Sequence, residues 1–164
     1  IPSNIHEDLE LNLGPRKFAK FWSEQKAKAI SKKYKNKIVI GADTIVYLNG
    51  EILGKPKNKE ESFNMLNKLS GNTHKVITGV SIAFNEINIL RTFSDTTRVT
   101  VRTIPAEDIQ YYIDNYSTLD KSGSYGIQDW FSVWIKKIDG CYFNVVGLPI
   151  SRLYRELKNI YPVS

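Results

Sequence analysis

Residues 38–56, IVIGADTIVYLNGEILGKP, carry the strand and turn signals around which the domain is organised. A β-branched apolar run marks a buried strand. Asn49-Gly50 is a strong hairpin signal, because both residues accept the positive φ of a type I′ turn, and it predicts a return strand over 51–53. Asp43 is expected at the end of the buried run, where a strand presents a side chain to a cleft. Lys55 is expected on a stiff turn between Gly54 and Pro56. An acid at a strand end and a lysine on a rigid turn fit phosphate chemistry: the acid holds a metal or activates water, and the lysine meets negative charge. Each also has a plainer reading, as a turn-capping acid and a surface lysine.

Working outward, Pro15 suits the first position of a helix, and Phe18, Phe21, Trp22 and Ala29 recur at helical spacing up to Lys33. Downstream, Asn58 followed by Glu61 forms a capping-box pattern for a helix that carries Phe63, Leu66 and Leu69 and stops at Gly71. Residues 75–84 and 87–102 are rich in Val, Ile and Thr and read as strands. Pro105 opens a helix with Ile109, Tyr112 and Ile113 on one face. Residues 120–128 form a Gly- and Ser-rich loop, 133–146 read as a hairpin turning at Asp139-Gly140, and Pro149 begins a last helix with Leu153, Tyr154 and Leu157. Helices and strands without strict alternation imply an α/β domain with a mixed sheet.

The 164 residues suffice for one domain, and a hydrophobic share of 41% with nine tyrosines, seven phenylalanines and three tryptophans excludes a disordered chain. Cys141 is the single cysteine, so no internal disulfide forms and a reducing, cytosolic setting is expected. No apolar run approaches bilayer length, and no secretory leader is present, so no membrane association is expected. The first residue, Ile1, reads as the start of a chain cut from a longer polypeptide. His6 and His74 lack zinc-ligand spacing, and Trp130, Phe131 and Trp134 read as packing residues. A net charge of +6 suits an anionic partner, and the lysines of 26–37 read as a solvated helix face. The glycines of the 120–128 loop can bring backbone amides, with Lys121 and Gln128, to a ligand's phosphates; the plainer reading is a flexible connector.

Taken in order, PSNIHE (2–7), EQKA (24–27), GADTIV (41–46), ILGKP (52–56), LSGNTHKVITGV (69–80), TTRV (96–99), DKSGSYGIQ (120–128) and NVVGLP (144–149) resemble the Maf family of nucleoside triphosphate pyrophosphatases. The resemblance runs nearly end to end. It implies hydrolysis of a nucleoside triphosphate between its α and β phosphates, giving the monophosphate and pyrophosphate, with Mg or Mn as divalent cation. The implied fold is an elongated α/β mixed sheet with flanking helices, its two lobes set around a central nucleotide cleft.

By position, the resemblance makes Asp43 the general base or metal-linked acid and Glu7 a second acid near the metal. Lys26, Lys55 and Lys121 become phosphate or cleft cations, and Lys55 and Glu7 are counted with Asp43 among the catalytic residues. Gln128 contacts base or sugar, Thr44 is a weaker candidate for substrate binding, and Ser70 is a weaker candidate without an assigned role. DKSGSYGIQ resembles the DKAGAYGIQ loop of members acting on dTTP and UTP, which points to pyrimidine triphosphates; the amide of Gln128 can both donate and accept toward a uracil or thymine edge. A homodimer without nucleic-acid partners is also implied.

One departure stands out. Members carry an SxSPRR phosphate-binding turn ahead of the PSNIHE block, whereas this sequence starts at that block, and Gly14-Pro15-Arg16-Lys17 is a chance echo at a helix start. The domain is therefore read as N-terminally incomplete. This keeps a catalytically degenerate, nucleotide-binding or regulatory relative as an alternative. A basic nucleic-acid-binding module is a further one, although no RNP, KH or helix-turn-helix pattern supports it.

Overall fold

In a computed structural model, described over residues 1–3, 5 and 11–160, five strands form one sheet in the order β2-β1-β3-β4-β5. They are β1 (Val39–Leu48), β2 (Glu51–Leu53), β3 (Thr73–Phe84), β4 (Ile89–Val101) and β5 (Ile135–Asp139). Helices α1 (Pro15–Ser31), α2 (Lys59–Leu69), α3 (Ala106–Asn115), α4 (Tyr142–Val146) and α5 (Ile150–Ile160) flank it. The α/β class with flanking helices is as expected. The pairings, however, are antiparallel throughout, where a mixed sheet was expected. Two tight connections force much of this, since strands joined by a short turn can only run antiparallel. Asn49 (φ 49°) and Gly50 (φ 93°) close β1 onto β2, and the turn Asn85–Ile87 with Asn88 in the left-handed region closes β3 onto β4.

The helix starts follow their local chemistry. Pro15 occupies the first turn of α1. Asn58 accepts from the Glu61 amide at 2.8 Å, while the Glu61 carboxylate reaches back to the Lys57 amide at 2.8 Å, one residue beyond a standard capping box.

Side chains alternate across the sheet and divide its packing. On one face α1 lies directly on the strands through small residues: a Cβ at Gly79 would sit 2.2 Å from the Ala19 carbonyl oxygen, and one at Gly41 2.4 Å from that of Ser23. Ala19, Ser23 and Ala27 form this contact stripe, with Ser23 and Ser81 hydroxyls 2.9 Å apart, and Phe18 and Trp22 pack beside it on Ile45 and Ile77. Phe21 and Ala29 lie off the buried face, contrary to the sequence expectation, because the helix needs its smallest residues where backbone meets backbone.

The other face carries two clusters. One joins Val46, Leu48, Val76, Val99 and Val101 to α2 and α3. The second sets Leu153 of α5 against Val80, Ile82 and Phe93. Trp130, Phe131 and Trp134 belong to the first cluster as packing residues.

The hairpin expected over 133–146 is corrected. β5 pairs with β4, from Arg98↔Asp139 to Val101↔Ile135, and after Gly140 the chain turns into α4 instead of a return strand. Asn144 dictates this: fully buried, it donates to the Val76 carbonyl at 3.0 Å and to the Thr97 hydroxyl at 3.1 Å, which overrides the strand propensity of the neighbouring Val145 and Val146. Among the described residues, no helix is long and apolar enough to cross a membrane.

Candidate active site

Asp43 does not end β1. It lies in the middle of the strand, opposite Gly79 of β3, and is 4% exposed. The cleft reaches it because β2 is short: it covers β1 only at Val46–Leu48, leaving the edge of 39–45 without a strand partner among the described residues. A cleft of about 620 Å³ runs along that edge, a volume in the usual range for small-molecule sites. It takes Asp43 from one face of the sheet and Thr44 from the other.

The α1 contact with Gly41 and Gly79 fixes the height of the helix, and one turn beyond Ser23 it delivers Lys26 to the cleft. Lys26 Nζ donates to Asp43 Oδ1 at 2.7 Å. The ammonium offsets the cost of burying the carboxylate and fixes its orientation. Lys55 lines the same cleft from the turn after β2 and is exposed. Lys121 lines it from the 120–128 loop, with its ammonium held by the Ser117 carbonyl at 2.5 Å and by Asp120 at 3.0 Å. Gln128 completes the rim with an exposed amide.

Loop 120–128 is fastened at several points. The Gly123 amide donates to the Gly54 carbonyl at 3.0 Å, so this loop and the Gly54-Lys55-Pro56 turn are tied together. Gly123 is in the left-handed region, and a Cβ there would meet Val46 at 2.9 Å. Ser124 takes φ 67° although it has a side chain, a strained conformation of the kind that collects at functional sites. Tyr112 donates to Asp129 at 2.9 Å and accepts from the Gly126 amide at 3.0 Å. Tyr125 and His74 share a buried hydrogen bond of 2.7 Å. Burial holds the His74 imidazole down at about 4, so it is neutral, and pushes the Tyr112 and Tyr125 phenols above their usual range.

Thr44 shows a narrower role than its position suggested. Thr78 spends its proton on the Asn144 carbonyl at 2.8 Å, so Thr44, 2.9 Å from Thr78, must donate to it. Thr44 thus presents lone pairs to the cleft and suits a donor such as a sugar hydroxyl better than a phosphate. Ser70, a weaker expectation, is absent from the cleft lining; its hydroxyl accepts from the Ile104 amide at 2.8 Å at the end of α2. Glu7 and His6 lie outside the described residues. Sequence reasoning missed Tyr125, Ile127 and the wall from Val145 to Gly147. The buried polar pair of His74 and Tyr125 was the available signal, since a histidine within a Val- and Ile-rich strand needs a partner across the core.

The described carboxylates lining the cleft are Asp43 and Asp120. Among the described residues no group of three or more His, Cys, Asp or Glu gathers as a metal site; a magnesium-like ion bound together with substrate phosphates asks for only one or two protein carboxylates, and Asp43 is the buried one that lines this cleft.

A family model described as Maf-like protein matches residues 1–160. The chain is 42% identical over 158 residues to a dTTP/UTP pyrophosphatase of Carboxydothermus hydrogenoformans, covering 96% of this chain and 84% of that protein. A Bacillus velezensis protein of the same description is 45% identical over 158 residues, covering 96% of this chain and 82% of the relative. A third, from Koribacter versatilis, is 43% identical over 157 residues, covering 96% and 80%.

Proposed function

Since the chain belongs to the Maf-like protein family, we propose that it is a nucleoside triphosphate pyrophosphatase acting on dTTP and UTP, serving to clear nucleotide pools. The supporting observation is convergence: a buried acid held by Lys26, two further lysines and a clamped glycine loop line one cleft of nucleotide size. The reaction adds water across the α–β phosphoanhydride and yields the nucleoside monophosphate and pyrophosphate.

In this reading Asp43 takes the proton of the attacking water, and Lys26 keeps its carboxylate aimed during that transfer. Lys55 and Lys121 meet the phosphates from the two loops that the Gly123–Gly54 hydrogen bond ties together, Lys121 leaving its contacts with Ser117 and Asp120 to do so. Gln128 reads the pyrimidine edge, and Thr44 accepts from the sugar. Asp43, with Glu7, would hold a divalent cation, Mg or Mn, which when bound neutralises phosphate charge. The protein acts as a single domain, assembles as a homodimer and works in the cytoplasm, without membrane or nucleic-acid partners.

The test is product analysis across the common triphosphates with magnesium. Stoichiometric pyrophosphate and monophosphate from dTTP and UTP are expected, with purine triphosphates turned over more slowly. Orthophosphate release would sink the proposal in favour of a different phosphohydrolase, and no turnover of any triphosphate would sink it in favour of a nucleotide-binding relative without catalysis.

A further inference from the structure

A second groove, of about 720 Å³, opens on the α1 face of the sheet at the far end of the same strand. Tyr47 in its floor lies four residues along β1 from Asp43, roughly 13 Å away at strand spacing. The cluster of Phe18, Trp22, Ile45 and Ile77 packs on this face between the two ends.

The register builds the floor as a row across four strands, Tyr47↔Lys75↔Arg98↔Asp139. Lys75 and Arg98 therefore face each other directly, an arrangement that destabilises a sheet when nothing lies between the charges. The N-terminus of α1 forms the wall and adds Arg16 and Lys17. Its first turn carries no acid, and its cap, Gly14, offers no side-chain acceptor. Cations there oppose the helix dipole, and the leading amides are left to another partner. Thr96, one row further in, lines the groove with a buried hydroxyl that has no hydrogen-bond partner among the described residues. Against four cations, Asp139 is the one carboxylate among the described lining residues, and it stands 3.9 Å from Arg98.

Three independent features thus oppose ordinary stability rules at one place, and each is relieved by the same ligand. We propose that this groove is a second anion site, separate from the Asp43 cleft, that takes a small polyphosphate: inorganic pyrophosphate or the polyphosphate tail of a nucleotide. Lys75, Arg98, Arg16 and Lys17 meet its charges, and the Thr96 hydroxyl donates to a phosphate oxygen. The groove has room for a whole nucleotide, in which case Tyr47 offers its ring to the base.

The proposal does not depend on the catalytic reading of the cleft, and its test keeps the two apart. Backbone amide shifts of the full chain are followed during titration with inorganic pyrophosphate, and separately with the α,β-methylene analogue of dTTP. Saturable shifts at Thr96, Gly140 and Lys17 are expected, with a dissociation constant distinct from that of any shifts at Gly126 and Gly147. Saturation by pyrophosphate identifies the phosphates alone as sufficient; saturation by the analogue only identifies a nucleotide.

The double variant Lys75→Ala, Arg98→Ala should weaken the groove titration by at least about tenfold per removed cation and leave dTTP turnover at low substrate unchanged. Arg16→Ala with Lys17→Ala gives the same readout with the sheet intact. Absence of shifts at Thr96 and Gly140 with both ligands overturns the proposal. So does a groove that ignores both anions yet binds a single-stranded oligonucleotide in a salt-dependent way.

Discussion

Gly79→Ala tests the seat of α1, on which the geometry of the cleft depends. The added methyl would lie 2.2 Å from the Ala19 carbonyl oxygen and 2.6 Å from the Lys20 amide nitrogen, both helix backbone with no rotamer to yield. Ordinary contact for a Cβ begins at 3.4 Å, so the helix must lift by about 1.2 Å. Overpacking of this kind costs about 1–3 kcal/mol, and a rigid obstacle places it near 3. For a chain of this size that lowers the melting midpoint by roughly 6–12 °C. The same lift draws Lys26 away from Asp43, its partner at 2.7 Å, and a displacement near 1 Å at a catalytic group costs roughly 100-fold in turnover. Thermal unfolding and steady-state kinetics on dTTP read the two effects. Gly14→Ala is the control, since its methyl meets nothing within 4 Å, and it should stay within about 1 kcal/mol. A Gly79→Ala protein with wild-type midpoint and turnover would refute the close seating of α1.

Further outcomes follow from the same contacts. His74 has an ordinary value of 6.5 and is held near 4 in the fold, so the unfolded chain binds a proton that the folded one refuses. The associated stability is whole above pH 6.5 and drains away as pH falls toward 4, by an amount on the order of 3 kcal/mol. Urea midpoints across that window should show the loss in the wild type and a smaller one in His74→Gln; equal slopes would contradict it. Asn144→Ala strands the Val76 carbonyl and should cost about 1–3 kcal/mol by denaturant unfolding while raising KM, because α4 leads into the cleft wall at Gly147. Lys55→Ala and Lys121→Ala should each raise KM for dTTP by about tenfold with an unchanged melting midpoint, and an unaltered KM in both would remove them from the phosphate site.

Much of this was legible in the sequence where the signal is local. Asn49-Gly50, the Asn58 cap and Pro15 announce their turns and helix starts, because each acts on backbone within a few residues of itself. The placement of Asp43 was not legible. GADTIV shows an acid inside a strand, but that no strand among the described residues covers the edge beside it follows from β2 being only three residues long, a property of the partner strand. The α1 face was misjudged for a related reason: large apolar residues dominate a periodicity, while here Ala19, Ser23 and Ala27 make the closest approach. The strand expected after Gly140 failed because Val145 and Val146 favour extended backbone locally, and the buried amide of Asn144 outweighs them. Lys26, Asp43, Lys55, Lys121 and Gln128, drawn together from resemblance, do line one cleft.

Asp43→Asn bears hardest on the role proposed for the buried acid. It keeps the shape of the side chain and a carbonyl acceptor for Lys26 while removing the charge that would take the proton. Pyrophosphate release from dTTP and UTP with magnesium should fall by about 100-fold or more in a protein that still folds and binds nucleotide. Release at the wild-type rate would place the chemistry elsewhere and contradict the account.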